Sequence, residues 1–191
     1  MSQARDESQP NVVSKPNGRG LQRQAVIRPL GQPGDLGWVV QAHGEVYAAE
    51  YGWDASFEAL VAGIVADYAV RDQPGEAAAW IAEAGGQRAG SIFCVPADDG
   101  RTARLRLLLM LPSGRGLGLG TGLVRTCVEF ARAAGYQRME LWTNDVLAAA
   151  RRIYLAEGFT LTSEEPQRNF GADLVSQTYA LNLTAAERTG G

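Results

Sequence analysis

The stretch RLRLLLMLPSGRGLGLGTGLVRTCVEFARAAG, residues 104–135, constrains the fold more than any other, because two periodicities meet in it across a run of glycines. Up to Leu111 it is apolar and of strand length. Alternation puts Leu105, Leu107, Leu109 and Leu111 on one face, and Leu108 and Met110 on the other with Arg104 and Arg106. The end of such a strand is expected to be buried on both faces, in the middle of a sheet. After the glycines, Leu119, Leu123, Val124, Cys127, Ala131 and Ala134 recur at helical spacing, with Arg125, Glu129 and Arg132 opposite and Gly135 as the stop. A strand that passes through a glycine-rich turn into a helix presents unpaired N–H groups at the positive end of the helix dipole, which suits an anion and above all a phosphate. Gly116, Gly118, Gly120 and Gly122 stand at alternate positions there, so the turn reads as a phosphate cradle in preference to a merely flexible connection.

Around this junction the remaining elements fall into place. A short β run from Gln24 to Leu30 ends at Pro33-Gly34-Asp35, where Asp35 is expected to cap a helix over about 35–50. Asp54 similarly heads a helix over 54–70, whose Phe57, Leu60, Val61, Ile64, Val65 and Tyr68 share one face. Three β runs follow, separated by Gly85-Gly86 and by Asp98-Asp99-Gly100, as in an antiparallel meander that ends in the leucine-rich strand. Beyond the central helix come a strand over 138–143, a helix from Val146 stopped by Gly158, and closing strands in FTLTS and LVSQTYALNL. The order is βααβββαβαββ, in one domain over 24–184 flanked by a polar tail (1–23) and a flexible C-terminus (185–191).

Composition excludes several classes. A formal charge of −3 and a pI near 5.3 argue against direct nucleic-acid contact, which calls for a basic face. Cys94 and Cys127 each sit in an apolar run, as buried reduced thiols would, and no leader or stretch of spanning length is read, so the expected location is cytoplasmic, without membrane contact. One histidine and two distant cysteines form no metal cluster, and no metal is expected. His43 is on helical spacing a structural residue or, as the chain's only imidazole, a base.

The phosphate ligand can be narrowed by what is missing. No Gly-Lys-Ser/Thr occurs in the turn, and from Gly116, Gly118 or Gly120 the sixth position is Thr121, Leu123 or Arg125, so neither a mononucleotide loop nor a dinucleotide fingerprint is present. Arg115-x-x-Gly118-x-Gly120 after a leucine-rich fourth strand, ARRIYLAEGF at 150–159, and the element order together resemble the GNAT superfamily of N-acetyltransferases. The resemblance spans about residues 24–183. YAAEYGWDASFEALVAGIVADY and LWTNDVLAAARRIYLAEGF are similar, more narrowly, to the acetyltransferase half of proteins that join a MarR-type DNA-binding domain to a GNAT domain; the DNA-binding half has no counterpart in these residues.

That resemblance implies an α/β (α+β) fold with a mixed, mostly antiparallel seven-stranded sheet, and acetyl transfer from acetyl-CoA to a primary amine. A non-catalytic acyl-CoA-binding module acting through protein partners is the other reading, and a homodimer is an assembly common among relatives. The pyrophosphate would lie on the backbone of Arg115, Gly116, Leu117, Gly118, Leu119, Gly120 and Thr121, and the pantetheine arm beside Leu109, Met110 and Leu111. Tyr154 matches the tyrosine that protonates the departing thiolate, although helical spacing also suits a core aromatic. Asn144 stands near the position of a pantetheine-binding asparagine, or caps the next helix. The fourth strand has no carboxylate, so base candidates come from the helix pair: Glu45 and Glu50, which read equally as a solvated face, and Asp54, with Glu83 on the second strand. Tyr47, Tyr51 and Trp53 beside them would hold the body of the amine.

Overall fold

The computed structural model describes residues 25–71 and 75–184; the tail read at 1–23, the start of the first β run at Gln24 and the C-terminus at 185–191 lie outside the described residues. The elements are β1 (Ala25–Pro29), α1 (Asp35–Tyr51), α2 (Ala55–Ala69), β2 (Ala78–Ala84), β3 (Gln87–Pro96), β4 (Thr102–Met110), α3 (Leu119–Ala133), β5 (Arg138–Asn144), α4 (Ala148–Ala156), β6 (Thr160–Asn169) and β7 (Ala172–Asn182), with a single 3-10 turn at Pro112–Gly114. The seven strands form one sheet in the order β1-β2-β3-β4-β5-β7-β6. Every pairing is antiparallel except β4 with β5, and β7 is inserted between β5 and β6.

Each face of the sheet carries its own core. On one side α3 buries Leu119, Leu123, Val124, Cys127, Val128 and Ala131 against β2–β5, joined by Tyr154 and Phe159 from α4 and its end. On the other, α1 and α2 set Val39, Phe57, Val61 and Val65 against Ile81 and Phe93. At about 1.5–3 kcal/mol for each fully buried large apolar side chain, these stripes hold the helices down. Cys94 and Cys127 are free and buried, and burial raises the Cys127 thiol pKa. Among the described residues no helix is long and apolar enough to cross a membrane.

The two helix-start expectations had different outcomes. Asp54 caps α2, accepting the N–H of Ser56 at 2.9 Å. Asp35 does not cap α1. Gly34 takes that position at φ 84, in the left-handed region, and the turn points the Asp35 carboxylate backwards. There it is fully buried and accepts the N–H groups of Gly31 and Gln32 (3.0 and 2.9 Å), a two-bond fork from Arg28 and the Nε of Arg88 at 2.8 Å. Arg28 also holds Glu83 at 2.6 Å. One carboxylate thereby fastens the head of α1 to β1 and β3.

The alternation read along β4 fails at its centre. Leu107 has φ 53 and the register with β3 slips between Ser91 and Phe93, a β-bulge. One added residue resets the pleat, so Leu105, Leu108 and Met110 share the α3 face while Leu107 packs under α1 and α2. α4 starts at Ala148, two residues later than read, with Leu147 before it and no side-chain cap. β6 and β7 are also longer than read, because Phe170 (φ 55) and Gly171 (φ 77) make a tight turn that lets pairing run to Asn169 and Ala172.

Candidate active site

β4 and β5 pair only from Thr102/Arg138 to Leu105/Leu141, although both strands continue. Beyond that point β5 stays with β7 and β4 stays with β3, so the sheet parts and the facing edge of β4 is left without a strand partner. A cleft of about 630 Å³ opens there, walled by β4, the glycine turn, α4 and the C-terminal half of α1. Tyr47, Leu108, Leu147 and Ala150 line both this cleft and a smaller pocket of about 70 Å³ on the α1/α2 side of the parting. The two spaces thus share a wall.

The glycine turn supplies the cleft with donors. Gly116 (φ 77) and Gly118 (φ 74) need the left-handed conformation that puts α3 at this angle. Gly118 gives no side-chain cap, and the first backbone bond of the helix is Gly122 N–H to Gly118 at 2.9 Å, so the N–H groups of Leu119, Gly120 and Thr121 have no helical acceptor. A Cβ on Gly120 would meet Ile153 Cδ1 at 3.0 Å, so that glycine keeps α3 close to α4. Gly122, whose Cβ would meet Ile27 Cδ1 at 2.8 Å, is instead a packing glycine beneath β1. The alternate-glycine pattern therefore mixes ligand access with helix packing.

The residues singled out in the sequence divide sharply. Leu109, Met110, Arg115, Gly116, Gly118, Leu119, Gly120, Thr121, Tyr47, Glu50 and Tyr51 line the cleft. Leu111 and Leu117 are not part of the lining; the Leu111 N–H is tied to Ala89 at 2.7 Å, and Leu117 faces solvent. Glu45 is on the exposed side of α1, bonded to Gln41 at 2.8 Å, which removes it from the site. Asp54 and Glu83 are likewise occupied, as cap and as partner of Arg28. Glu50 reaches across the cleft mouth to Arg115 at 2.6 Å, and Arg115 also donates to the Met110 carbonyl. Val46 of α1 and Ala149, Arg152 and Ile153 of α4 also line the wall; the motif ARRIYLAEGF contains Arg152 and Ile153 but does not single them out as site residues.

Tyr154, Asn144, Trp53 and His43 line the inner pocket. Tyr154 rests its ring among Phe159 and Tyr179, and among the described residues its hydroxyl makes no hydrogen bond; burial, then Tyr47 and Cys127, raises its pKa far above the usual phenol range. Tyr47 is raised too, by burial first. It stacks between His43 and an aromatic group formed with Trp53 (4.9 Å) and Phe57 (4.5 Å). Asn144 does not cap α4 and does not line the main cleft: it is buried, and among the described residues neither amide atom has a hydrogen-bond partner.

His43 has a fixed tautomer. Its Nδ1 is 2.7 Å from the Val39 carbonyl, which can only accept, so Nδ1 carries the proton and the unpaired Nε2 presents a lone pair. Burial, partly opposed by that carbonyl, pushes its pKa down to about 4. A lowered imidazole pKa means that the unfolded chain takes up a proton the folded one refuses, so stability is complete above about pH 6.5 and declines as pH falls towards 4. Urea unfolding at pH 6.5 and pH 5 should differ by about 1.5 kcal/mol, in a window above ordinary carboxylate titration, and His43→Leu should lose most of that difference. A flat wild-type profile would contradict the burial argument.

The sequence model described as "Acetyltransferase (GNAT) family" matches residues 38–159, which is most of the described chain. Rat N-acetyltransferase 8 is 37% identical over 89 residues, a stretch that covers 44% of this chain and 40% of that relative, so the chain spans less than half of the curated protein it matches. Among solved structures, the yncA protein of Salmonella typhimurium, determined with its cofactor acetyl-CoA, superposes with a TM-score of 0.67 at 21% identity, over 87% of this chain and 98% of that one. The ribosomal-protein-S18-alanine N-acetyltransferase of Escherichia coli gives 0.63 at 19% identity, over 88% and 99%. At these identities the structural likeness is one of fold.

Proposed function

We propose that this chain, which belongs to the acetyltransferase (GNAT) family, moves the acetyl group of acetyl-CoA to a primary amine by direct attack within a ternary complex. The observation that carries this reading is the continuous path from the N–H groups at the head of α3, along the edge of β4 that β5 leaves, to a pocket lined by Tyr154.

Acetyl-CoA supplies the thioester. The N–H groups of Leu119, Gly120 and Thr121 hold its pyrophosphate, and Arg115 adds charge at the rim. Leu109 and Met110 present strand backbone to the amide groups of the pantetheine arm, which completes the ladder that β5 abandons. Backbone N–H on the same edge stabilises the carbonyl oxygen as it gains charge. As the nitrogen–carbon bond forms and the carbon–sulfur bond breaks, Tyr154, which burial keeps protonated, gives its proton to the departing sulfur. The proton lost by the amine leaves through cleft water towards Glu50, the carboxylate that faces the cleft, and the same water returns a proton to Tyr154.

Calorimetric titration with acetyl-CoA, beside NAD, tests the first half, and thiol release across an amine panel tests the second. Acetyl-CoA is expected to bind and NAD not to bind. Gly120→Leu keeps an allowed backbone but crowds Ile153 and fills the cleft, and should weaken acetyl-CoA on the order of a hundredfold, ~2.7 kcal/mol, with folding retained. Unchanged affinity in that variant would remove the cofactor from this cleft. Binding without thiol release from any amine would favour a non-catalytic acyl-CoA-binding module.

A further inference from the structure

Arg106 is the first residue of β4 beyond the last pair with β5, and it lines the inner pocket. It is half-buried beneath α2, yet among the described residues it makes no ion pair and no hydrogen bond to a carboxylate. The charged groups that influence it are Arg104, two residues back on the same strand, which pairs with Asp98 at 3.7 Å, and Asp67, an exposed residue of α2 beyond ion-pair reach. A guanidinium half withdrawn from water without a partner is disfavoured, and an anion entering the pocket would supply that partner.

The second observation is independent of that charge. Asn144, 1% exposed, lines the same pocket with its Oδ1 and Nδ2 both unpaired, and the Nε2 of His43, also 1% exposed, is unpaired as well. Buried side-chain polar atoms are almost always satisfied, so three unpaired atoms converging on one space describe a polar ligand that fills it. Their chemistry is specific. Asn144 Oδ1 and His43 Nε2 accept hydrogen bonds, as an amine requires, whereas Arg106 and Asn144 Nδ2 donate, as a carboxylate requires. At about 70 Å³ the pocket takes a head group and little more, and Leu60 and Trp142, exposed at its rim beside Ile64, offer an apolar surface to a side chain that projects from it.

We propose that the acceptor is an α-amino acid, its carboxylate held by Arg106 and Asn144 and its amine turned towards the parting of β4 and β5, with an apolar side chain against Leu60, Ile64 and Trp142. This rests on the acetyl-transfer reading above and names the substrate class of that same site. The carboxylate fixes the molecule, which leaves the amine as the only group free to approach the thioester.

The test compares matched pairs that differ in the carboxylate alone: phenylalanine with phenethylamine, and leucine with isopentylamine. Thiol release by the wild type should favour each amino acid by about a hundredfold in kcat/KM, because a site built for a polar group rejects the analogue that lacks it. Arg106→Met should raise KM for the amino acids on the order of tenfold to a hundredfold while leaving the plain amines unchanged, and Arg104→Met should do neither. A binding arm separates this idea from the reaction itself: N-acetyl-phenylalanine and N-acetyl-phenethylamine are titrated calorimetrically into the CoA-loaded protein. Preferential, Arg106-dependent binding of the carboxylate supports the proposal even if no amine releases thiol, an outcome that would sink only the acetyl-transfer reading. Equal handling of acid and amine by the wild type, or an acid preference that survives Arg106→Met, overturns it.

Discussion

On the proposed mechanism, Tyr154→Phe is expected to lower kcat for acetyl transfer by about a hundredfold or more, with little change in KM for acetyl-CoA or in the stability of the fold. The separation of effects follows from where the hydroxyl sits. The ring belongs to the core, against Phe159 and Tyr179, and phenylalanine keeps that packing. The oxygen has no partner among the described residues and lines the inner pocket, so its loss breaks no hydrogen bond within the fold. What disappears is the proposed proton donor to the leaving sulfur. A thiol leaving group of lower pKa needs less help, and an acetyl thioester of such a thiol should recover much of the lost rate in the variant. Burial holds the phenol protonated far beyond neutrality, so Tyr154 itself imposes no alkaline decline on the wild-type rate near physiological pH. Full turnover in Tyr154→Phe would remove the acid, and equal losses in rate and stability would make the residue a piece of core.

Asp35→Ala should destabilise the protein by about 3–5 kcal/mol, the scale for removing one partner of a buried charge network. The carboxylate is fully buried, and its oxygens answer two arginines and two backbone N–H groups. Alanine leaves all of those donors facing one another. Arg28, still paired with Glu83, and Arg88, partly exposed, recover some solvation, which sets the lower end of the range. Because the network hangs the head of α1 on β1 and β3, its loss should also loosen α1, and hydrogen exchange there should rise more than in α3. Urea unfolding measures the first effect; a change below about 1 kcal/mol would mean that the network contributes register without net stability.

Much of the architecture was legible because it is written in periodicity and in punctuation. Leu119 to Ala131 spell a helix, and the Gly85-Gly86 and Asp98-Asp99-Gly100 turns spell a meander, each within a window of a few residues. The bulge at Leu107 was not legible. Its neighbours are also leucines, so the sequence reads alike in either register and only the pairing with β3 decides. Glu45 and Glu50 show a similar limit: five residues apart on a helix whose apolar stripe is weak, they differ only in which one faces the glycine turn. The unpaired atoms of the inner pocket come from α1 and β5 and the guanidinium beside them from β4, and their convergence is a property of the parted sheet that no local spacing encodes.

The insertion of β7 between β5 and β6 bears on how the chain is made. Strands β1 to β4 can pair in the order in which they leave the ribosome, since each neighbours its predecessor. β5 can then join β4 over only four residue pairs, and its other edge waits until β7 is synthesised and displaces any contact with β6. During that interval a nascent chain would carry an open edge of Met139, Leu141 and Trp142, the kind of surface that recruits stray strands. The parting between β4 and β5 would thus be the last region to mature, and a chain stalled before residue 172 would have its glycine turn and central helix yet lack the strand that holds β5 away from β4.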